Sequence, residues 1–150
     1  MTIYFYKASE SPYGCFSNFA EYGFYLDNRW WKTSEHYYQA QKFITTEPHW
    51  SLSIREAETP KEAAAKGRDL SHYMRPDWDQ VKDEVMFKAV LTKFQTHSDI
   101  RQILLATQEE LIIENSPVDY YWGCGQNGTG KNKLGEILMK VRSILDDLTI

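Results

Sequence analysis

Along this chain, apolar positions first alternate with polar ones and then recur at helical spacing. Residues 2–7 (TIYFYK) alternate and predict a short strand. Residues 22–32 (YGFYLDNRWWK) set aromatic and apolar residues on both sides of Asp27-Asn28, residue types that tolerate positive φ, and predict a hairpin. From Ser34 the period becomes helical. Ser34 is expected to cap the helix EHYYQAQKFI, with Glu35 in its first turn where a negative charge suits the dipole. A short helix is expected over 50–57, and Pro60 suits the start of the next, KEAAAKGRDL. Residues 78–96 carry the cleanest stripe, with Val81, Val85, Met86, Ala89, Val90 and Phe94 on one face. Helical spacing continues over 98–107, EELIIEN (109–115) predicts a strand, and NKLGEILMKVRSILDDL (132–148) predicts a closing helix. The pattern contains no repeat, low-complexity tract or linker. It implies an α+β fold, a mainly helical single domain over 1–150 with a small β-sheet packed among the helices.

Composition narrows the class. With 150 residues, 42% hydrophobic and 15% aromatic (5 Trp, 10 Tyr, 7 Phe), the chain can build a core and is not intrinsically disordered. Seventeen basic against 21 acidic residues, a net charge of −4, argue against a general nucleic-acid coat protein while leaving room for a small nucleotide or one extruded base. The opening MTIYFYKASE has no apolar run of signal-peptide type, and no stretch approaches the roughly 20 apolar residues that span a bilayer, so a soluble cytoplasmic protein without membrane partners is expected. Cys15 and Cys124 form no CxxC pattern, and His36, His49, His72 and His97 lack zinc-binding spacing. Neither a metal nor a cofactor is expected.

Two segments and three single residues carry candidate chemistry. In GCGQNGTGKN (123–132), the run Gly125 to Lys131 fits GxxxxGK, but Asn132 stands where a P-loop needs Ser or Thr, which excludes an NTPase. Two readings remain: a plain loop with Asn132 as a helix cap, or exposed N–H groups at a helix start that suit phosphate, with Lys131 alongside. In WKTSEHYYQAQKF (31–43), Glu35, Tyr38 or Gln39, and Lys42 share one helix face. That face is either solvated or the lining of a polar cleft. Trp78 opens its helix off the apolar stripe, as a core lid or a platform for a base. Arg68, after Gly67, either holds phosphate or caps carbonyls. Asp119 binds a ribose hydroxyl, acts as a base, or satisfies a turn.

Taken together, FSNF (16–19), W-x-x-SEHYYQAQKF (31–43), GR (67–68), W-x-x-VK-x-x-VM (78–86), KF (93–94) and D-x-x-WG-x-G-x-x-G-x-GKN-x-LG (119–135) resemble the YbiA-like or NADAR superfamily, associated with NAD and ADP-ribose. The likeness runs from about Phe5 to Arg142. It implies the YbiA-like fold and an N-glycosidase cleaving the bond between ribose C1 and an exocyclic amine of a heterocycle. The substrates implied are ribosylamino-pyrimidine phosphates of riboflavin synthesis, or guanine carrying ADP-ribose in nucleic acid. A non-catalytic ADP-ribose-binding module is the competing reading.

The expected roles follow from that chemistry. Glu35 does acid/base work at an oxocarbenium-like centre and a poor amine leaving group. Lys42 offers a second route through a Schiff base, which burial and a lowered pKa support. Asp119 orients a ribose hydroxyl or the water. Phe19, Tyr38, Trp78 and Trp122 face the heterocycle, and Arg68, Gly123, Gly125, Gly128, Gly130, Lys131 and Asn132 hold phosphate. Several of Phe16, Phe19, Tyr37, Tyr38, Trp78, Tyr121 and Trp122 are expected to wall one cleft.

Overall fold

The computed structural model describes residues 1–148 and divides into two compact units: Met1–Ala20 together with the chain from Phe94 onward, and Glu21–Lys93. The small sheet expected from the sequence is in fact two two-stranded sheets, one in each unit. No helix among the described residues is long and apolar enough to cross a membrane.

In the second unit, β2 (Phe24–Leu26) and β3 (Arg29–Trp31) form the expected antiparallel hairpin. Asp27 and Asn28 take φ of 55° and 63° at its turn, the left-handed pair that matches strand twist. Helices α1 (Ser34–Gln41), α2 (Pro48–Arg55) and α3 (Pro60–Gly67) pack on one another, and α1 also meets β3. Thr33, not Ser34, caps α1: its backbone is extended and its Oγ1 accepts the His36 N–H at 3.1 Å. Ser34 is the first helical residue and is fully buried. Helix α2 starts two residues earlier than expected because Pro48 already supplies a first-turn residue with no N–H to satisfy. Pro60 opens α3 as expected, behind a Thr59 cap. Helix α4 (Trp78–Thr96) has Val85, Met86, Ala89, Val90 and Phe94 buried, with Val81 half-buried at the margin.

In the first unit, β1 (Ile3–Phe5) pairs in parallel with β4 (Ile112–Glu114), Ile3 opposite Ile112. Phe16, in a 3₁₀ turn, meets Phe5 at 5.8 Å and Phe94 at 5.9 Å between ring centroids. Helix α5 (Ser98–Ala106) packs on α6 (Lys133–Leu148), and α6 packs on β4. A Cβ at Gly135 would lie 2.1 Å from the Ile112 carbonyl oxygen, so only glycine permits this approach of α6 to β4.

Candidate functional site

Every residue of α1 is buried, so of the two readings of its polar face the solvated one does not hold. The hairpin side is structural. His36 Nε2 donates to the Ala57 carbonyl at 2.9 Å and its Nδ1 takes the Thr33 hydroxyl at 2.8 Å; burial holds the imidazole below its ordinary pKa, and therefore neutral. Tyr37 packs its ring against Trp31 and donates its hydroxyl to Asp27 Oδ2 at 2.7 Å. Tyr37 thus belongs to the packing of the hairpin on α1, and Phe16 to the core of the first unit.

The opposite side of α1 brings Glu35, Tyr38, Gln39 and Lys42 together, as their spacing predicts. Glu35 is 6% exposed and Gln39 3%, with Gln39 Nε2 donating to Glu35 Oε2 at 2.7 Å. Lys42 is half-buried at the end of the helix, and its Nζ donates to the Gly67 carbonyl at 3.2 Å. The ammonium sits 5.7 Å from the Tyr38 ring centre and 6.0 Å from that of Trp78. Trp78 is buried, its ring 5.1 Å from that of Tyr38. Burial lowers Lys42 to a pKa of about 8; Glu35 opposes the shift, while Arg68 and Lys82 add to it. Desolvation beside two aromatic rings therefore leaves this amine neutral in part at physiological pH, against the opposing charge of Glu35.

Arg68 follows Gly67 at the end of α3 and is exposed, its guanidinium hydrogen-bonded to no group among the described residues. Lys82, one helical turn beyond Trp78 on α4, was not anticipated from the sequence, although its i+4 spacing from Trp78 is legible there. From the sequence, Gln39 is only an alternative to Tyr38 on the shared face, and Gly67 only part of the GR pair.

The remaining expected site residues belong to the first unit. Asp119 Oδ1 accepts the N–H groups of Tyr121 at 2.9 Å and Trp122 at 2.8 Å, the turn-satisfying arrangement. Gly125 and Gly128 carry the chain at φ of 72° and 77°. The amides leading into α6 are already bonded within the loop. Gly130 donates to Cys124, Lys131 to Tyr120, Asn132 to Gly123, Lys133 to Tyr121 and Leu134 to Trp122, all at 2.7–3.0 Å. Loop carbonyls thus take the N–H groups at the start of α6, correcting the expectation of an open phosphate cradle.

Asn132 likewise makes a different contact from a helix cap. Its Oδ1 accepts the Glu114 N–H and its Nδ2 donates to the Ile112 carbonyl, both at 2.9 Å, bonds that a residue of a further parallel strand would make opposite Ile113. Gly123 is buried against Ser116 and the Glu114 carbonyl. Lys131 is exposed, with its Nζ 5.5 Å from the Tyr121 ring centre. Trp122 is half-buried and edge-on to Tyr121 at 4.9 Å, and Phe19 is 37% exposed.

Comparison with known proteins places these residues in a family. Residues 4–146 match the NADAR domain. An N-glycosidase of Nostoc punctiforme is 52% identical over 149 residues, covering 99% of this chain and 95% of that one. The N-glycosidase YbiA of Escherichia coli is 45% identical over 143 residues (95% and 88%), and its NMR structure matches this fold with a TM-score of 0.89 over 99% of this chain and 89% of that one. A maize chloroplastic protein named riboflavin biosynthesis protein PYRR is 37% identical over 94% of this chain, which accounts for 25% of its own length. The chain belongs to the NADAR family and has the YbiA-like α+β fold.

Proposed function

We propose that this chain is an N-glycosidase that cleaves the bond between ribose C1 and an exocyclic amine of a heterocycle, using Lys42 and Glu35. The observation that carries this reading is the half-buried Lys42, with its pKa lowered to about 8, on one helix face with the buried carboxylate of Glu35. The relatives named as N-glycosidases support the same reaction class.

An N-ribosylamine opens to an imine at C1 when the ring oxygen takes a proton. Neutral Lys42 adds to C1, and Glu35 receives the ammonium proton. That proton then passes to the departing heterocyclic amine as the C1–N bond breaks, leaving C1 joined to Lys42 as a Schiff base. Water adds to C1 and releases the sugar aldehyde and the free lysine. The net change consumes one water. Tyr38 and Trp78 exclude solvent and favour the flat base, while the guanidinium of Arg68 and the ammonium of Lys82 supply charge for the 5′ phosphate or diphosphate.

Ribosylamino-pyrimidine phosphates and ADP-ribosylated guanine share this C1–exocyclic nitrogen bond and a 5′ phosphate. The name of the maize relative favours the first; assaying both side by side with purified protein decides between them. Borohydride added during turnover is expected to trap the sugar on Lys42, read as a mass shift of its peptide. Turnover without an adduct overturns the lysine route in favour of direct hydrolysis assisted by Glu35. Unchanged turnover by Glu35→Gln overturns the assignment of Glu35, and binding without turnover by the parent leaves a binding module.

A further inference from the structure

Gln39 is turned in an unusual way. Its Nε2 is bonded to Glu35, whereas its Oε1 is a buried side-chain oxygen with no hydrogen-bond partner among the described residues. Folded proteins keep few such atoms, because a buried amide oxygen without a donor is unfavourable. Turning the amide over would place its oxygen against the Glu35 carboxylate, two acceptors in contact. The bond to Glu35 thus decides the orientation, and Oε1 is left facing Gly67.

Gly67 is what makes that orientation possible. A Cβ there would lie 2.0 Å from Gln39 Oε1, 2.5 Å from its Cδ and 2.8 Å from its Cβ. The last of these is no flexible tip, so the whole Gln39 side chain would have to move. Gly67 lies in the last turn of α3 without a positive φ, so the backbone conformation does not require glycine. Glycine is a poor helix former, and the close approach of Gln39 is the steric reason for it here. The carbonyl of the same residue accepts Lys42 Nζ, so Gly67 touches the partner of one reacting side chain and holds the other directly.

We propose that Gln39 and Gly67 are a positioning pair for Glu35, with Gly67 leaving the gap that keeps the Gln39 amide donating to the carboxylate. Neither residue touches the substrate. An N–H donated to a carboxylate favours its ionised form, so the pair presents Glu35 as the base that receives the Lys42 proton. The kinetic arm of the test rests on the N-glycosidase reading; a second arm does not.

Gln39→Met matches the side-chain length and removes the donor, while Gly67→Ala leaves Gln39 present and fills its gap. Both are expected to lower kcat by about ten- to a hundredfold with a smaller change in KM, and to move the acidic limb of the pH–rate profile upward. The double variant is expected to lose little more than either single one, since both remove the same contact. In parallel, the ¹³C-labelled carboxyl of Glu35, identified by its loss in Glu35→Gln, is titrated by NMR without substrate. Its midpoint is expected to rise in both variants.

An unmoved midpoint in Gln39→Met overturns the proposal, as does additive loss in the double variant. Should Gly67→Ala not fold, Gln39→Met alone decides by the same titration. A parent protein that cleaves neither substrate overturns the proposed function, while the titration still decides the pair.

Discussion

Two regions read from the sequence as candidate sites, the face of α1 and the stretch from Asp119 through the glycine-rich loop at 123–132, use their polar groups in opposite ways. In the loop, the bonding capacity that suggested a ligand is largely committed to the fold. Asp119 Oδ1 holds two backbone amides, Asn132 completes the edge of β4, and the amides of residues 130–134 meet loop carbonyls. On α1 and at its end the polar groups are buried or half-buried yet incompletely used. Lys42 is desolvated toward its neutral form, Gln39 Oε1 has no donor, and nearby Arg68 makes no side-chain hydrogen bond among the described residues. A polar residue in a motif is thus better judged by what remains of its bonding capacity than by its presence. Groups consumed by backbone are read out in stability, and groups held back are read out in activity.

The largest expected effect tests the second half of that statement. Lys42→Met is expected to lower kcat by about a thousandfold or more while raising the melting temperature. The folded pKa of about 8 lies below the 10.5 of a free lysine, so the unfolded chain binds more protons between those values. Stability of the parent therefore climbs as pH rises from about 8 toward 10.5, and the full penalty is present below 8. Removing the charge is expected to stabilise the protein by about 1 kcal/mol at neutral pH. Urea unfolding of both proteins at pH 7 and pH 10 checks this, since the gap should narrow at the higher pH. A Lys42→Met protein less stable at both values would place Lys42 among the structural residues.

Asn132→Leu tests the other half. It leaves the Glu114 N–H and the Ile112 carbonyl without their partner, an expected loss of about 2–4 kcal/mol and a melting temperature lower by roughly 5–15 °C. Its kcat at a temperature where it stays folded should remain within a few fold of the parent. A variant that melts normally but does not turn over would return Asn132 to the substrate.

The same division explains what the sequence disclosed. The hairpin was legible because Asp27-Asn28 specifies its turn locally, and α4 because its stripe repeats along one helix. The shared face of Glu35, Gln39 and Lys42 was legible as spacing. Its burial was not, since α1 is too polar to announce that α2, α3 and β3 cover it. Thr33 and Ser34 are both competent caps, and only packing selects the first. Asn132 looked like a cap because its partners on β4 lie far back in the chain. The need for glycine at position 67 depends on an amide in another helix, which no local pattern contains. Long-range commitments of polar groups were the part that local periodicity does not carry.

A smaller effect concerns phosphate. With the amides of residues 130–134 already bonded, Arg68 and Lys82 are expected to matter more than a backbone cradle at the start of α6. Arg68→Ala should raise KM for a 5′-phosphorylated substrate by about tenfold, with little change for the dephosphorylated nucleoside. Lys82→Ala should act in the same direction, and Lys131→Ala less than either. Competition by inorganic phosphate, measured for all three variants, gives the same ranking without turnover of the analogue. The reverse order would move the anion to the loop and break the contrast between the two segments.

The smallest expected effect is the most discriminating for Asp119. Its Oδ1 works as an acceptor for two amides, a task that needs an oxygen and not a charge. Asp119→Asn keeps that oxygen and should change stability by less than about 0.5 kcal/mol, whereas Asp119→Ala should lose about 1 kcal/mol or somewhat more. The two substitutions also separate the roles kinetically. A turn residue predicts near-parent kcat for Asn and a modest fall for Ala that follows the melting temperature. A base, or a carboxylate supporting positive charge at ribose, predicts a large fall for Asn with an unchanged melting temperature, because the amide preserves the turn and removes the charge. Measured together, melting temperature and kcat for this isosteric pair assign Asp119 to the fold or to the chemistry.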